Sequence, residues 1–301
     1  MTQREEEPVP ESDVADVVAV LSAHAADVDA RGRFPAEGFA ELRRRGYLGL
    51  LVPAEYGGMG AGLAELTSLA QRFAGGCLST AMNWAMHCQQ TDLVVRHATP
   101  ELRASLLPRI ADGEVYLASV TTEAGKGGHL LTARDALRTG DGLAVEREAP
   151  VVTGGLHADG FLITLRDGPD AAAHEVTLLY AGREDLKVEQ TGAWRTMGMR
   201  GTDSVGLRLT GRVAPECVIG ERGRFREAAA DSMVPVGHLA WSACWLGAAR
   251  AALAGLVRWI TARGRRPGAR TPPRRSSRSG SPGYASTWNW SARTWARSPR
   301  R

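Results

Sequence analysis

The chain has 301 residues, 44% hydrophobic and 23% charged, ordinary material for a globular protein with a sizeable core. Its formal charge of +4 hides a split: residues 263–301 carry 11 Arg and no Lys, Asp or Glu, leaving 26 basic against 33 acidic groups upstream. Cys77, Cys88, Cys217 and Cys244 lie far apart with no C-x-x-C pair, which argues against a disulfide framework or zinc site and for a reducing, cytoplasmic setting.

The polar, acidic start MTQREEEPVPESD does not read as a targeting peptide. In chain order, Val14, Val17, Val18, Leu21, Ala25 and Val28 then follow the i, i+3, i+4, i+7 spacing of an amphipathic helix. Pro35 predicts the start of a second helix through Phe39 and Leu42, ended by Gly46. A short apolar run over 47–52 leads into Pro53 and a turn at 55–58. Leu66, Leu69, Ala70 and Phe73 mark a third helix; Gly75-Gly76 interrupts it, and 78–95 reads as helical again. Thr99-Pro100-Glu101 supplies an N-cap, a proline at N1 and an acidic first turn for a helix carrying Leu102, Leu106, Leu107 and Ile110.

Strand patterns follow over 115–121, 133–138, 143–152, 161–166, 175–180 and 205–210, separated by turns such as Thr139-Gly140-Asp141-Gly142. A last helical block starts near Phe225 and runs at least to Ile260. Residues 239–260 are apolar enough to suggest a membrane span, but Arg250 at mid-bilayer costs about 2.5–3.5 kcal/mol, so a buried helix and no membrane are expected. Helix, strand and helix in blocks give an α+β fold. The expected organisation is an N-terminal helical domain over 1–113, a middle antiparallel, barrel-like β domain over 114–224, an incomplete C-terminal helical bundle over 225–262, and a basic tail over 263–301.

Gly125, Gly127 and Gly128, directly after a strand, let backbone N–H groups converge on an anion such as a pyrophosphate. Thr121 and Thr122 at the strand end offer hydroxyl and backbone donors to a polar ring edge. The plain alternative is a glycine-rich hairpin beside ordinary strand threonines.

Three segments together resemble the acyl-CoA dehydrogenase family: GYLGLLVPAEYGG at 46–58, TTEAGKGG at 121–128 and WRTMGMRGTDS at 194–204. The resemblance covers roughly residues 10–260. It implies a helical domain, a β domain and a four-helix bundle, with FAD at their junction and between subunits, and dehydrogenation of an acyl thioester between Cα and Cβ. It implies flavin contacts at Ser119, Thr121, Thr122, Gly125, Gly127, Gly128, Val151 and Thr153, and substrate contacts at Gly128, His238, Trp241 and Trp245. Trp241 and Trp245, at i and i+4, line an acyl pocket or pack in the core.

Several positions depart from the family pattern. Val151 replaces an aromatic, Gly128 a serine and His129 an aspartate. Arg200 is expected to tie the β domain to the helical bundle. The family's carboxylate base has no counterpart, because no Asp or Glu follows Asp231. The implied partners are an acyl-CoA or related small molecule and an electron-accepting flavoprotein or oxygen, with no nucleic acid and no metal. A homo-oligomer is expected if the bundle is intact. A flavin-dependent monooxygenase on the same fold is the alternative, and an inactive remnant a third.

The tail has no helical or strand period and holds Trp288, Trp290 and Trp295 among its arginines. A basic arm for nucleic acid, a linker and a shifted reading frame are the candidates. Displacing the frame by two nucleotides permits LRIDLELVSAYLGEV over 283–298, a helix-like pattern, so truncation or a frameshift is the expectation, with 264–301 disordered. The preceding helix is then expected to expose an apolar face.

Overall fold

A computed structural model describes residues 11–125 and 128–264. Gly127, Lys126 and the expectations for 265–301, including disorder and the shifted frame, lie outside the described residues. Two compact units divide the chain, Met1–Ala254 and Gly255–Arg301.

The first unit opens with helices α1 (Glu11–Arg31), α2 (Ala36–Arg44), α3 (Leu63–Gly76), α4 (Leu78–His97) and α5 (Pro100–Ala111). Val14, Val17, Leu21 and Val28 of α1 are buried, as their spacing predicts. Short turns at Tyr47–Gly49 and Ala54–Tyr56 replace the apolar run after α2. The break between α3 and α4 falls at extended Cys77, and Gly76 there packs against α1 so closely that a Cβ would sit 2.9 Å from the Val18 carbonyl oxygen. Thr99 caps α5 by accepting from the Leu102 N–H at 3.2 Å, with Pro100 leading the helix.

Helix α4 is buried nearly all round although it carries Thr80, Asn83, His87, Gln89, Gln90 and Thr91. Such groups stay inside only where they are hydrogen-bonded. His87 does this on both ring nitrogens: Nε2 donates to the Leu48 carbonyl at 2.9 Å and Nδ1 accepts from the Leu117 N–H at 3.0 Å. The Trp84 indole donates to the Tyr47 carbonyl at 2.8 Å. Helix α4 thereby fixes both the turn after α2 and the start of the β region.

Among the described residues eight strands follow: β1 (Leu117–Val120), β2 (Arg138–Gly140), β3 (Gly142–Ala149), β4 (Gly160–Arg166), β5 (Val176–Gly182), β6 (Leu186–Gln190), β7 (Leu207–Val213) and β8 (Val218–Ile219). They form two four-stranded sheets, ordered β1-β4-β5-β8 and β2-β3-β7-β6. All pairs are antiparallel except β1 with β4. Strands β4 and β5 are buried on both faces, whereas β3 alternates and turns Leu143, Val145, Arg147 and Ala149 inward.

After β8 come α6 (Phe225–Ala228), a π-helical turn (Ala229–Met233) and α7 (Val234–Gly264). The wide turn leaves the Met233 carbonyl to the Gln89 amide, which donates to it at 2.6 Å, while Ser232 donates to Asp92 at 2.6 Å. The expectation of a buried helix over 239–260 is corrected. Val236, Ala240, Ala243 and Cys244 are buried, but Trp245 and Leu253 are 55% and 62% exposed. By length and composition alone, Phe225–Ala262 could cross a membrane, and 22% of its most apolar window is buried. In the second unit the described residues are the last turns of this helix, where Leu256, Val257, Trp259 and Ile260 are exposed.

Candidate functional site

Strand β1 delivers the chain to the first predicted cluster. Ser119 is half-buried between buried Ala118 and Val120, and Thr121 and Thr122 are half-buried beyond the strand's end. Thr122 Oγ1 donates to the Val151 carbonyl at 2.7 Å. Its hydroxyl proton is therefore spent inside the protein, not offered to a ring edge, and the bond stitches the end of β1 to the segment after β3.

The glycine loop is closed at its neck by Glu123, whose buried carboxylate accepts from the N–H groups of Arg134 at 2.9 Å and Asp135 at 2.6 Å. It also pairs with the fully buried Arg147 guanidinium at 2.9 Å. Burial lowers the Arg147 pKa from its ordinary value. Asp135 is pushed up by burial and by the neighbouring Glu123 charge. Above this neck, Gly125 and Gly128 adopt left-handed φ values of +73° and +78°, where only glycine is unstrained. A Cβ on Gly125 would strike the Arg134 guanidinium, while nothing lies within 4 Å of one on Gly128.

Val151 is 36% exposed and Thr153 half-buried. The backbone bonds Val152 N–H to Val205 O and Gly154 N–H to Thr202 O, both 2.9 Å, clamp this segment to 202–205. Thr153 Oγ1 lies 3.0 Å from Ser204 Oγ, which lies 2.8 Å from Thr202 Oγ1. Met199 and Asp203, with φ of 57° and 46°, bend the loop so that these hydroxyls converge.

The predicted substrate residues other than Gly128 stand apart on α7. His238 is exposed, and its ring lies 5.8 Å from half-buried Trp241. Trp245 is exposed, so core packing describes Trp241 and not Trp245. Arg200 is also corrected: its Nη2 donates to the Ala30 carbonyl at 2.8 Å, tying the loop to α1 instead of to the helical bundle. Two open cavities, of about 530 Å³ beside Arg31, Trp194 and Arg200 and about 450 Å³ beside Arg147 and Arg208, are lined by none of the predicted residues. Ser119, Thr121, Thr122, Gly125, Gly128, Val151 and Thr153 are instead half-buried or exposed, an open ledge whose two segments are joined by the Thr122–Val151 bond.

As a flavin seat the ledge fits in kind. Left-handed glycines and the Arg134 cation suit a pyrophosphate, and Thr153 suits a polar ring edge. Val151 supplies apolar contact without an aromatic plane. Arg134, Thr202 and Ser204 carry no site signal of their own in the sequence. The T-x-S spacing of the last two was visible, but its meaning depends on the clamp to 152–154.

Residues 12–114 match the model of the acyl-CoA dehydrogenase N-terminal domain. An L-evernosamine nitrososynthase of Micromonospora is 33% identical over 141 residues, 41% of this chain and 34% of that protein. A probable acyl-CoA dehydrogenase, fadE25 of Mycobacterium leprae, is 25% identical over 205 residues, 67% of this chain and 53% of that protein. The FMN-bound form of TdsC, a dibenzothiophene monooxygenase from Paenibacillus, shares the fold with a TM-score of 0.74 at 22% identity, over 82% of this chain and 64% of that one. The chain thus spans between a third and about half the length of these curated relatives. Residues 12–114 thus match the acyl-CoA dehydrogenase N-terminal domain, and the chain shares its fold with TdsC.

Proposed function

We propose that residues 119–128 and 151–153 hold FAD, and that the chain is the flavin-binding part of an acyl-CoA dehydrogenase-type oxidoreductase. The carrying observation is the Thr122–Val151 hydrogen bond, which joins the two segments beside a left-handed glycine loop faced by Arg134. In this reading Gly125 and Gly128 turn backbone N–H groups to the pyrophosphate, with Gly127, outside the described residues, assigned to the same loop, and Arg134 neutralises it. Ser119, Thr121, Thr122 and Val151 border the ring, and Thr153 bonds it. When bound, FAD supplies the hydride acceptor for α,β-dehydrogenation of an acyl thioester. His238, Trp241 and Gly128 are the proposed substrate contacts, with Trp245 at the periphery. Proton abstraction is assigned to no residue from Ser232 onward, since that stretch has no Asp or Glu.

A second reading, oxygen activation by reduced flavin, is in line with the names of the nitrososynthase and the monooxygenase. The electron acceptor would then be oxygen instead of a partner flavoprotein. Mixing the purified chain with FAD should quench flavin fluorescence at a one-to-one stoichiometry. Gly128→Val, which forces a branched side chain into left-handed backbone, should weaken binding at least tenfold. Absence of quenching with both FAD and FMN would remove the proposal. Stopped-flow oxidation of the reduced complex, with and without an acyl-CoA, then separates the two readings.

A further inference from the structure

On the inward face of β3, Arg147 stands between Val145 and Ala149 with its side chain fully buried. Its Nε, Nη1 and Nη2 meet no hydrogen-bond acceptor in good geometry among the described residues. Two carboxylates balance its charge, Glu123 at 2.9 Å and Asp135 at 3.6 Å. A buried ion pair so poorly hydrogen-bonded adds little stability over apolar side chains of equal size. Its place in the fold points to another use. Glu123 accepts from the N–H groups of Arg134 and Asp135, so its carboxylate bridges the chain entering the glycine loop and the chain leaving it. Strand β3, paired with β2 on one side and β7 on the other, is the body to which Arg147 attaches that bridge. At the other end of the bridge, the exposed Arg134 reaches Gly125, where a Cβ would strike its guanidinium.

We propose that Arg147 and Glu123 are positioning residues that set the reach of Arg134 toward a diphosphate held at Gly125 and Gly128. This rests on the flavin reading above. Neither residue meets the ligand: Arg147 is enclosed, and the Glu123 oxygens are occupied by backbone N–H groups and the guanidinium. They act through the backbone. With the N–H groups of 134 and 135 tied to the sheet, only the side-chain torsions of Arg134 remain to be ordered when it meets a phosphate, which lowers the entropy lost on binding. Arg147 also cancels the negative charge that Glu123 would otherwise present to an anion a few residues away.

FAD titrations of the full chain, followed by fluorescence quenching, form a double-mutant cycle that tests this. Arg134→Ala should weaken FAD binding about tenfold, the loss of one charge-assisted contact. Glu123→Leu with Arg147→Met removes both buried charges at similar volume and should weaken binding to a similar degree. All three changes together should fall well short of the roughly hundredfold loss that independent effects would give, because the pair acts through Arg134. Arg147→Lys, which keeps the cation, should restore affinity to within about threefold of wild type. Should circular dichroism show the paired variant unfolded, Glu123→Gln enters the cycle in its place, with the same non-additivity expected. Additive losses, or wild-type affinity in the paired variant, overturn the positioning role and leave the flavin site standing. No FAD uptake by the wild-type chain overturns both.

Discussion

His87 shows how one side chain couples the helices to the β region and makes their union pH-sensitive. Its ring is fully enclosed and bonded through both nitrogens, which fixes the neutral, Nε2-protonated tautomer. Burial lowers its pKa from 6.5 to about 4. The unfolded chain then takes up this proton at a higher pH than the folded one. The stability tied to neutral His87 is complete above pH 6.5 and drains as pH falls from 6.5 toward 4. The loss reaches about 2 kcal/mol at pH 5. Urea unfolding of wild type at pH 7 and pH 5 should show this difference. His87→Gln, less stable at pH 7 because its amide cannot reproduce both bonds, should show a pH dependence smaller by that amount. Equal pH dependences in the two proteins would remove His87 as the cause. Nothing in the sequence around His87 in its polar-rich helix marks this role, because both partners, Leu48 and Leu117, are set by tertiary packing. Arg147 was equally illegible: in an alternating strand it occupies an inward position that composition alone would give to solvent, and its partner Glu123 comes from another element.

At the scale of elements the helices were the legible part. Periodicity, Pro35, Gly46 and the Thr99-Pro100 start set α1 to α5 within a few residues, because local capping and one apolar stripe decide them. The strands β6 and β8 were not foreseen: Lys187 and Glu189 break the apolar pattern of one, and the other is two residues long. Of the candidate site, the glycine loop and Thr153 could be read from motifs. The destination of the Thr122 proton and the contact between the Thr153 and Ser204 hydroxyls could not, since both depend on pairing across more than 25 residues. The Gly75-Gly76 pair reads as a helix breaker, yet its residues do different things. A Cβ on Gly76 would press on the fixed Val18 carbonyl, whereas one on Gly75 meets Ala251 at an ordinary 3.8 Å. Gly76→Ala should therefore cost roughly 1–3 kcal/mol by pushing α1 away from α3. Gly75→Ala, within the same helix, should gain up to about 1 kcal/mol from helix propensity. Thermal unfolding of the two variants gives opposite signs if the close approach is what sets the break; matching signs would refute it.

For the molecule as a whole, the surface of α7 governs behaviour in solution. Its first turns bury Val236, Ala240 and Cys244, but farther along the first unit Trp245 and Leu253 stand more than half exposed. In the second unit Leu256, Val257, Trp259 and Ile260 do the same within its described turns. Side chains of this size return roughly 1–2 kcal/mol each when such surface leaves water, while nothing but entropy opposes their removal from it. Neither the sheets nor the glycine loop offers comparable apolar exposure: among the described residues, Met59, Leu63, Val151 and Met197 are scattered one by one. Concentration-dependent association through α7 is the expected outcome, visible as a rising apparent mass in sedimentation or light scattering. Trp245→Gln with Leu253→Gln should reduce it, and adding Val257→Gln and Ile260→Gln should reduce it further, with the folding of the β region unchanged by circular dichroism. These four changes leave Thr122, Gly125 and Thr153 untouched, so FAD uptake should persist in the less associated protein. If wild type stays monomeric at concentrations where the quadruple variant does as well, the exposed face is not a site of association.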